Sequence, residues 1–203
     1  ISNWKGSASI NLEAGEKISV LDLIYSMMLV SANDSLFALA EFICGNLDKF
    51  AVMMQEKAKS IGAADTTVTT ADGRFTAEQY SNAYDLAIIC RYCMTNRMFR
   101  TIAATDKYTI PSTNKNGSRD LQNTNLLINS GNRRYRYETA IGIKSGYTAR
   151  SKSCLACSAL PPANKFGEEV LAIILGAENT KQMKYVFYDA ITLLDFTFNN
   201  FEA

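Results

Sequence analysis

Apolar residues in the first half of the chain recur with the three- and four-residue spacing of amphipathic helices. This pattern predicts four helices, over Val20–Val30, from Asp34 to Gly45, from Asp48 to Gly62 and from Asn82 to Met94. Ser19 followed by Asp22 resembles a capping box that opens the first helix, and Asp48 is expected to cap the third. The region of about 18–104 is therefore expected to form a helical lobe.

The second half of the chain has the patterns of strands. A polar stretch rich in Asn, Ser and Arg, from Thr105 to Tyr137, predicts loops and short strands. Three apolar runs then predict longer strands, namely Thr139–Tyr147, Ser153–Leu160 and Glu169–Gly176. Asn179 is expected to cap a closing helix that covers the sheet with an apolar stripe. The chain is thus expected to fold as one α+β domain, with an antiparallel sheet region and its closing helix over about 105–203.

Composition narrows this picture by exclusion. The chain has 203 residues, of which 47% are hydrophobic and 20% charged, the usual balance of a globular domain. Its net charge of +1 gives no electrostatic reason to expect nucleic acid or an anionic membrane as a partner. The chain contains no histidine, which excludes Ser-His-Asp and Cys-His catalysis within it. Proton transfer must therefore use a lysine, a carboxylate, a tyrosine or a cysteine with a shifted pKa.

Four of the five cysteines form pairs with zinc-like spacing, Cys90 with Cys93 and Cys154 with Cys157. The second pair lies in a predicted strand, where an odd offset points two side chains to opposite faces. Neither pair sits in a glycine- or proline-rich knuckle. We therefore expect core thiols rather than a metal site, and no cofactor is predicted.

Two short motifs far apart in the chain carry the candidate chemistry, Ser31-Ala32-Asn33 and Lys144-Ser145-Gly146. Ser-x-Asn is a weak pattern that occurs again at 112–114 and 130–132, but only the first copy lies between two predicted apolar helices. The alternative interpretation is that Asn33 simply caps the following helix. Lys144 ends an apolar strand, and the glycine after it would let a ligand approach the backbone. The alternative here is a solvated lysine at the end of a strand.

These motifs and their surroundings resemble the serine D-alanyl-D-alanine carboxypeptidases, the low-molecular-weight penicillin-binding proteins. The segments that carry the resemblance, in the family's order, are 12–19, 28–35, 38–41, 70–73, 80–86, 123–127 and 142–148. The resemblance implies a penicillin-binding-protein/β-lactamase-like fold. It implies an acyl-enzyme reaction on peptidoglycan stem peptides ending in D-Ala-D-Ala, and binding of β-lactam antibiotics. It also implies a location in the bacterial cell envelope, outside the cytoplasm.

The resemblance further implies a role for each motif residue. Ser31 would belong to the proton relay, and Asn33 would hydrogen-bond the amide of the substrate. Lys144 would supply positive charge beside the reacting serine, and Ser145 and Thr148 would offer hydroxyls to the terminal carboxylate. The implied site therefore has the catalytic residues Ser31, Asn33 and Lys144 and the substrate-binding residues Ser145, Gly146 and Thr148, with no metal.

The chain departs from the family pattern in three ways. Ser145 stands where the family more commonly has threonine, a change that keeps the hydroxyl. Some members carry an arginine where this chain has Thr124, so that carboxylate anchor would be missing. The nucleophile motif Ser-x-x-Lys is matched only by Ser2-Asn-Trp-Lys5, which is followed by glycine and polar residues, and by Ser112-Thr-Asn-Lys115 in a predicted turn. We therefore expect residues 1–203 to be an inactive fragment, without the nucleophile segment, of a membrane-associated protein. Its uncovered apolar surface is expected to favour self-association.

Two other functions stay open at this point. A β-lactamase-like hydrolase would share the same set of motifs. A non-catalytic peptidoglycan-binding protein would keep the cleft but lack the reaction.

Overall fold

The computed structural model describes residues 8–163, 167–180 and 184–201. The elements in chain order are α1 (Val20–Val30), α2 (Asn33–Cys44), α3 (Leu47–Ser60), α4 (Ala83–Met94), α5 (Arg97–Ala103), β1 (Lys107–Ile110), β2 (Arg119–Gln122), β3 (Ala140–Thr148), β4 (Lys152–Ala159), β5 (Val170–Ala177) and α6 (Tyr185–Asn200). Helices thus precede an antiparallel sheet and a closing helix, which confirms the expected α+β fold. Within the described ranges, no helix combines the length and the apolar character needed to cross a membrane.

Local side-chain caps explain where α1 and α3 begin. α1 begins where the Ser19 side chain accepts the backbone N–H of Asp22, as the capping box predicts. The predicted cap of α3 is wrong, because Oδ1 of Asn46, rather than Asp48, accepts the N–H of Lys49, at 2.9 Å. Asp48 lies instead in the first turn of that helix, where the helix dipole favours a carboxylate.

Two further boundaries differ from the sequence-based expectation. The seven residues of α5 are too few to show a helical repeat, and the Asn96 side chain caps this helix. The prediction that Asn179 caps the closing helix is wrong, since α6 begins six positions later. Asn179 instead forms an isolated β-bridge with Lys184 and donates its side-chain amide to the Ser153 hydroxyl.

The sheet has the strand order β3–β4–β5, and all its pairs are antiparallel. β1 and β2 form a separate antiparallel hairpin. In the register of the sheet, Lys144 lies opposite Ala156 and Ser145 lies opposite Leu155. Among the residues that the structure describes, β3 pairs with β4 alone, so the other edge of β3 is open.

Helices cover both faces of this sheet. On one face Leu155 packs in a buried cluster with Leu194 of α6. On the other face Ala156, the next residue of β4, packs in a cluster with Met94 of α4, as alternation along a strand requires. A third cluster, which includes Leu29, holds α1 against the β1–β2 hairpin. This packing fixes the position of the C-terminal end of α1 beside the hairpin.

A glycine in β3 lets the strand approach the helical lobe closely. Gly142 has a φ of +150°, and a Cβ at this position would lie 3.1 Å from the Cβ of Ala103 in α5. A larger residue would therefore be strained in its backbone and would also push β3 away from α5. The close approach brings Lys144, two residues further on, up to the helical lobe.

Candidate active site

A cleft of about 530 Å³ opens between the C-terminal end of α1, the loop after β2 and strand β3. Its polar lining residues come from both halves of the chain and include Ser31, Asn123, Thr124, Ser145, Asn179 and Lys184. Gly146 and Tyr147 complete the wall formed by β3. The cleft thus joins two motifs that are 113 positions apart, as measured from Ser31 to Lys144.

Ser31 is presented to the cleft by the end of α1. It is the C-cap residue, and its φ of 59° and ψ of 35° lie in the left-handed region that non-glycine residues rarely adopt. Its backbone N–H closes the helix by donating to the carbonyl oxygen of Met27 at 3.1 Å. Such backbone conformations persist only where the surrounding structure holds them, and they are concentrated at functional sites.

Lys144 of β3 contacts Ser31, although Lys144 is not itself among the residues that line the cleft. Its Nζ donates to Ser31 Oγ at 2.5 Å and to the carbonyl oxygen of Ser145 at 2.8 Å. Both acceptors are neutral, and none of the ion pairs in the described part of the chain includes Lys144. Burial lowers the pKa of Lys144 to about 8. At pH 7 the amine is therefore mostly an ammonium group, with about a tenth of it neutral and able to accept a proton.

Two hydroxyl groups lie side by side next to this lysine. The Oγ1 of Thr124 and the Oγ of Ser145 are 3.4 Å apart. The last turn of α1 fixes Thr124, whose backbone N–H and Oγ1 donate to the carbonyl oxygen of Leu29 at 2.9 Å and 3.0 Å. Two hydroxyls of the cleft with an ammonium group beside them suit the carboxylate of a ligand.

Gly146 follows on the same strand and is exposed. A Cβ at this position would meet no other protein atom within 4 Å, so packing within the protein does not require glycine here. The absence of a side chain leaves the backbone of β3 accessible to a ligand. The ring of Tyr147, which is 72% exposed, borders this open stretch.

Three residues of the predicted site, Asn33, Lys144 and Thr148, are not among those that line the cleft. Asn33 is the first residue of α2 and Ala32 is its N-cap, so the alternative of a capping asparagine is wrong. The Asn33 side chain has no hydrogen-bond partner within the described residues. Thr148, at the end of β3, faces a second cavity and shares a hydrogen bond of 2.7 Å with the Ser151 hydroxyl. Of the six predicted residues, Ser31, Ser145 and Gly146 therefore line the cleft, and Lys144 lies beside it in contact with Ser31 and Ser145.

Asn179 and Lys184 line the cleft, although sequence reasoning did not assign them to it. The backbone N–H of Lys184 donates to the Tyr135 hydroxyl at 2.8 Å, which fixes the chain before α6. Oδ1 of Asn179 is buried and has no partner among the described atoms. Neither residue belongs to a motif or a periodic pattern, so the sequence contained no signal that could have placed them here.

Of the two formal matches to Ser-x-x-Lys, the one that the structure describes does not line the cleft. The match at 112–115 lies in the β1–β2 loop, where the Thr113 hydroxyl donates to Glu16 at 2.7 Å. This loop is at the end of the hairpin away from Gln122, a cleft residue, and the intervening strands are about 13 Å long. The match at 2–5 lies outside the described residues.

The cysteines behave as core or rim residues. Burial raises the pKa of Cys90 and of Cys157 to about 12, so both thiols stay protonated. Cys157 is in the core and Cys154 lines the cleft, on opposite faces of β4 as the odd offset predicts. Within the described ranges, no group of three or more histidine, cysteine or acidic side chains could hold a metal ion.

Comparison with known proteins agrees with this geometry. A sequence profile of the D-alanyl-D-alanine carboxypeptidase family matches residues 1–179. The chain is 31% identical over 199 residues to the D-alanyl-D-alanine carboxypeptidase DacF of Bacillus subtilis, a match that covers 98% of this chain and 47% of DacF. It is 30% identical over 195 residues to a D-alanyl-D-alanine carboxypeptidase of Streptomyces sp. strain K15, with 87% and 64% covered. The chain thus spans between about half and two thirds of these relatives.

Solved structures share the fold. The crystal structure of a D-alanyl-D-alanine carboxypeptidase from Mycobacterium tuberculosis matches with a TM-score of 0.83 and 27% identity, over 97% of this chain and 70% of that one. A variant of the Streptomyces K15 DD-transpeptidase matches with a TM-score of 0.82 and 27% identity, over 95% and 73% of the two chains. The similarity therefore extends over nearly all of this chain.

Proposed function

Because the chain belongs to the D-alanyl-D-alanine carboxypeptidase family, we propose that its cleft recognises peptidoglycan stem peptides that end in D-Ala-D-Ala. The observation that carries this proposal is the hydrogen bond from Lys144 Nζ to Ser31 Oγ, which joins the two motifs in one cleft. The reaction that we propose for the whole protein is release of the terminal D-alanine through an acyl-enzyme. β-Lactam antibiotics would enter the same cleft, and the place of action would be the cell envelope outside the cytoplasm.

In this proposal the terminal carboxylate of the peptide lies between Lys144, Ser145 and Thr124. The ammonium group offers charge, and the two hydroxyls 3.4 Å apart offer hydrogen bonds to the two carboxylate oxygens. The open edge of β3 at Gly146 accepts the peptide backbone as an added strand. The side-chain amide of Asn33, which has no partner within the described residues, would bind an amide group of the peptide.

We assign the proton steps to Lys144 and Ser31. A lysine with a pKa near 8 can take a proton as a neutral amine and return it as an ammonium group. Ser31 accepts the hydrogen bond of Lys144 and can pass a proton on towards the leaving amine. Because Lys144 Nζ and Ser31 Oγ are 2.5 Å apart, the pair can transfer a proton without a histidine.

Within the described residues the Ser-x-x-Lys pattern occurs at 112–115, and these residues do not line the cleft, while the match at 2–5 lies outside the described residues. We therefore propose that residues 1–203 by themselves bind the peptide without being acylated. This same observation favours a second candidate function, non-covalent binding of peptidoglycan peptides.

The first experiment tests recognition. An NMR titration of the 203-residue chain compares acetyl-D-Ala-D-Ala with acetyl-L-Ala-L-Ala, and the D,D peptide is expected to bind more tightly. Lys144→Met removes the ammonium group but keeps the length of the side chain. This substitution should lower the affinity for the D,D peptide roughly tenfold or more. Lys59→Met, on the exposed end of α3, is the matched control and should change nothing. Equal binding of both peptides would contradict the proposed function.

The second experiment tests acylation with fluorescent penicillin. We expect no label on this chain that survives denaturation, because a serine needs a neighbouring base to be acylated. Stoichiometric labelling that Ser112→Ala abolishes would show that the β1–β2 loop holds the nucleophile. Labelling abolished by Ser2→Ala would place it in the N-terminal segment.

A further inference from the structure

A second cavity, of about 250 Å³, lies between the β3–β4 turn and the 73–79 loop of the helical lobe. Its lining consists of Gly73, Phe75, Gln79, Thr148, Arg150 and Ser151. The proposed function uses none of its side chains, although the family resemblance implied that Thr148 binds the terminal carboxylate. The cavity therefore needs an explanation of its own.

The chemistry of this second cavity is that of an anion site with an aromatic wall. The guanidinium carbon of Arg150 lies 4.1 Å from the centre of the Phe75 ring, and this ring is 53% exposed. A guanidinium group stacked on a ring keeps its N–H donors in its own plane, where they can bind a carboxylate in bidentate fashion. No ion pair of the described residues involves Arg150, so its charge is not neutralised by a carboxylate there.

Strand β3 connects this cavity to the first cleft. Ser145, Gly146 and Tyr147 line the cleft, and Thr148, the next residue, lines the second cavity. Thr148 lies three positions after Ser145 along the strand, a distance of about 10 Å. A peptide that runs along the open edge of β3 with its C-terminus near Ser145 would therefore place its third residue upstream at the second cavity.

We propose that the second cavity is a subsite for a carboxylate on an extended peptide ligand, bound by Arg150 about three residues upstream of the C-terminal residue. This inference rests on the proposed function, since that function sets where the C-terminus of the peptide lies. Phe75 holds the guanidinium group in place and contacts the aliphatic part of the acidic side chain. The subsite would make the protein select extended peptides with an acidic residue at this position over peptides with a neutral one.

The test uses two matched peptides, acetyl-Ala-Glu-Ala-D-Ala-D-Ala and the same peptide with Gln in place of Glu. NMR titration of the 203-residue chain should show a five- to tenfold preference for the Glu peptide, the scale of one charge-assisted hydrogen-bond pair. Arg150→Gln should abolish the preference and leave the affinity for acetyl-D-Ala-D-Ala unchanged. Arg150→Lys should keep a smaller preference, because the charge remains without the planar fork. Arg133→Gln, which removes an exposed arginine that lines none of the cavities described above, should keep the full preference.

The possible outcomes separate the two proposals. Equal affinity of the unchanged protein for both pentapeptides, or a preference that survives Arg150→Gln, would overturn the subsite and leave the proposed function standing. Failure of every D-Ala-D-Ala peptide to bind would overturn the proposed function, and the subsite with it. A preference that is lost with Arg150→Gln alone supports the subsite.

Discussion

Two largely buried charges in this protein have contrasting surroundings. Glu16 lies beside the β1–β2 loop, where Nη2 of Arg119 donates to its two carboxylate oxygens at 2.8 Å and 3.0 Å. A hydroxyl and a side-chain amide of the same loop add two more hydrogen bonds. Lys144 has two neutral acceptors and, within the described ranges, no carboxylate partner.

The different partners shift the two pKa values for different reasons. Burial acts to raise the pKa of Glu16, but hydrogen bonds, with that from Thr113 the first among them, outweigh it and lower the pKa to about 2. Burial of Lys144 has no such compensation and lowers its pKa to about 8. The complete set of partners stabilises the charge on Glu16 and thereby the fold. The incomplete set destabilises the charge on Lys144, which suits that lysine to proton transfer.

Removal of the charged partner of Glu16 is expected to have the largest effect. Arg119→Met keeps the length of the side chain but leaves the Glu16 carboxylate, whose side chain is 1% exposed, with neutral donors only. We expect the free energy of unfolding to fall by about 3 kcal/mol, the scale for breaking a buried ion pair. Urea denaturation measures this change.

The control for this prediction is an ion pair at the surface. Glu178→Gln breaks the contact with Lys152, in which the Glu178 side chain is 73% exposed, and a much smaller loss is expected. A similar loss of unfolding free energy in both variants would show that the ion pair of Glu16 with Arg119 stabilises the fold no more than a surface ion pair does.

Acid should reveal the same network with a slightly smaller effect. The folded pKa of Glu16 is about 2, below its ordinary value of 4.5. The resulting stabilisation is therefore fully present above pH 4.5 and is lost as the pH falls towards 2. Relative to Glu16→Gln, the unchanged protein should lose roughly 2–3 kcal/mol over that window. Parallel stability curves for the two proteins would contradict the lowered pKa.

Lys144 should show the opposite pH dependence, at alkaline pH. Its folded pKa of about 8 lies below the ordinary value of 10.5, so the unfolded chain binds more protons between these values. The stability of the unchanged protein, measured relative to Lys144→Met, should therefore rise as the pH increases from 8 to 10.5, by up to about 3 kcal/mol. A flat difference would mean that Lys144 is charged in the folded protein throughout, which would remove it as a base.

The fold and the candidate site were only partly predictable from the sequence. The boundaries of α1 and the order of helices and strands follow from local patterns and caps, as at Ser19. Asn46 and Asp48 are both good caps two positions apart, so only the backbone geometry decides between them. The two cavities depend on contacts between distant segments, such as Arg150 with Phe75, which no local pattern encodes. The roles of the motif residues stay predictions.

The smallest expected effect concerns Thr124, an uncharged residue that lines the cleft. Thr124→Val keeps the shape of the side chain but removes the hydroxyl that donates to the carbonyl oxygen of Leu29 at 3.0 Å and lies 3.4 Å from Ser145 Oγ. The backbone N–H of Thr124 still donates to the same carbonyl, so we expect a loss of only about 1 kcal/mol in the free energy of unfolding. The affinity for acetyl-D-Ala-D-Ala should fall a few-fold, because one of the two hydroxyls for its carboxylate is gone. Thr124→Ser, which keeps the hydroxyl, should match the unchanged protein in affinity. If Thr124→Val binds the peptide as tightly as Thr124→Ser does, the carboxylate does not lie between these hydroxyls, and Lys144 would have to bind it without Thr124.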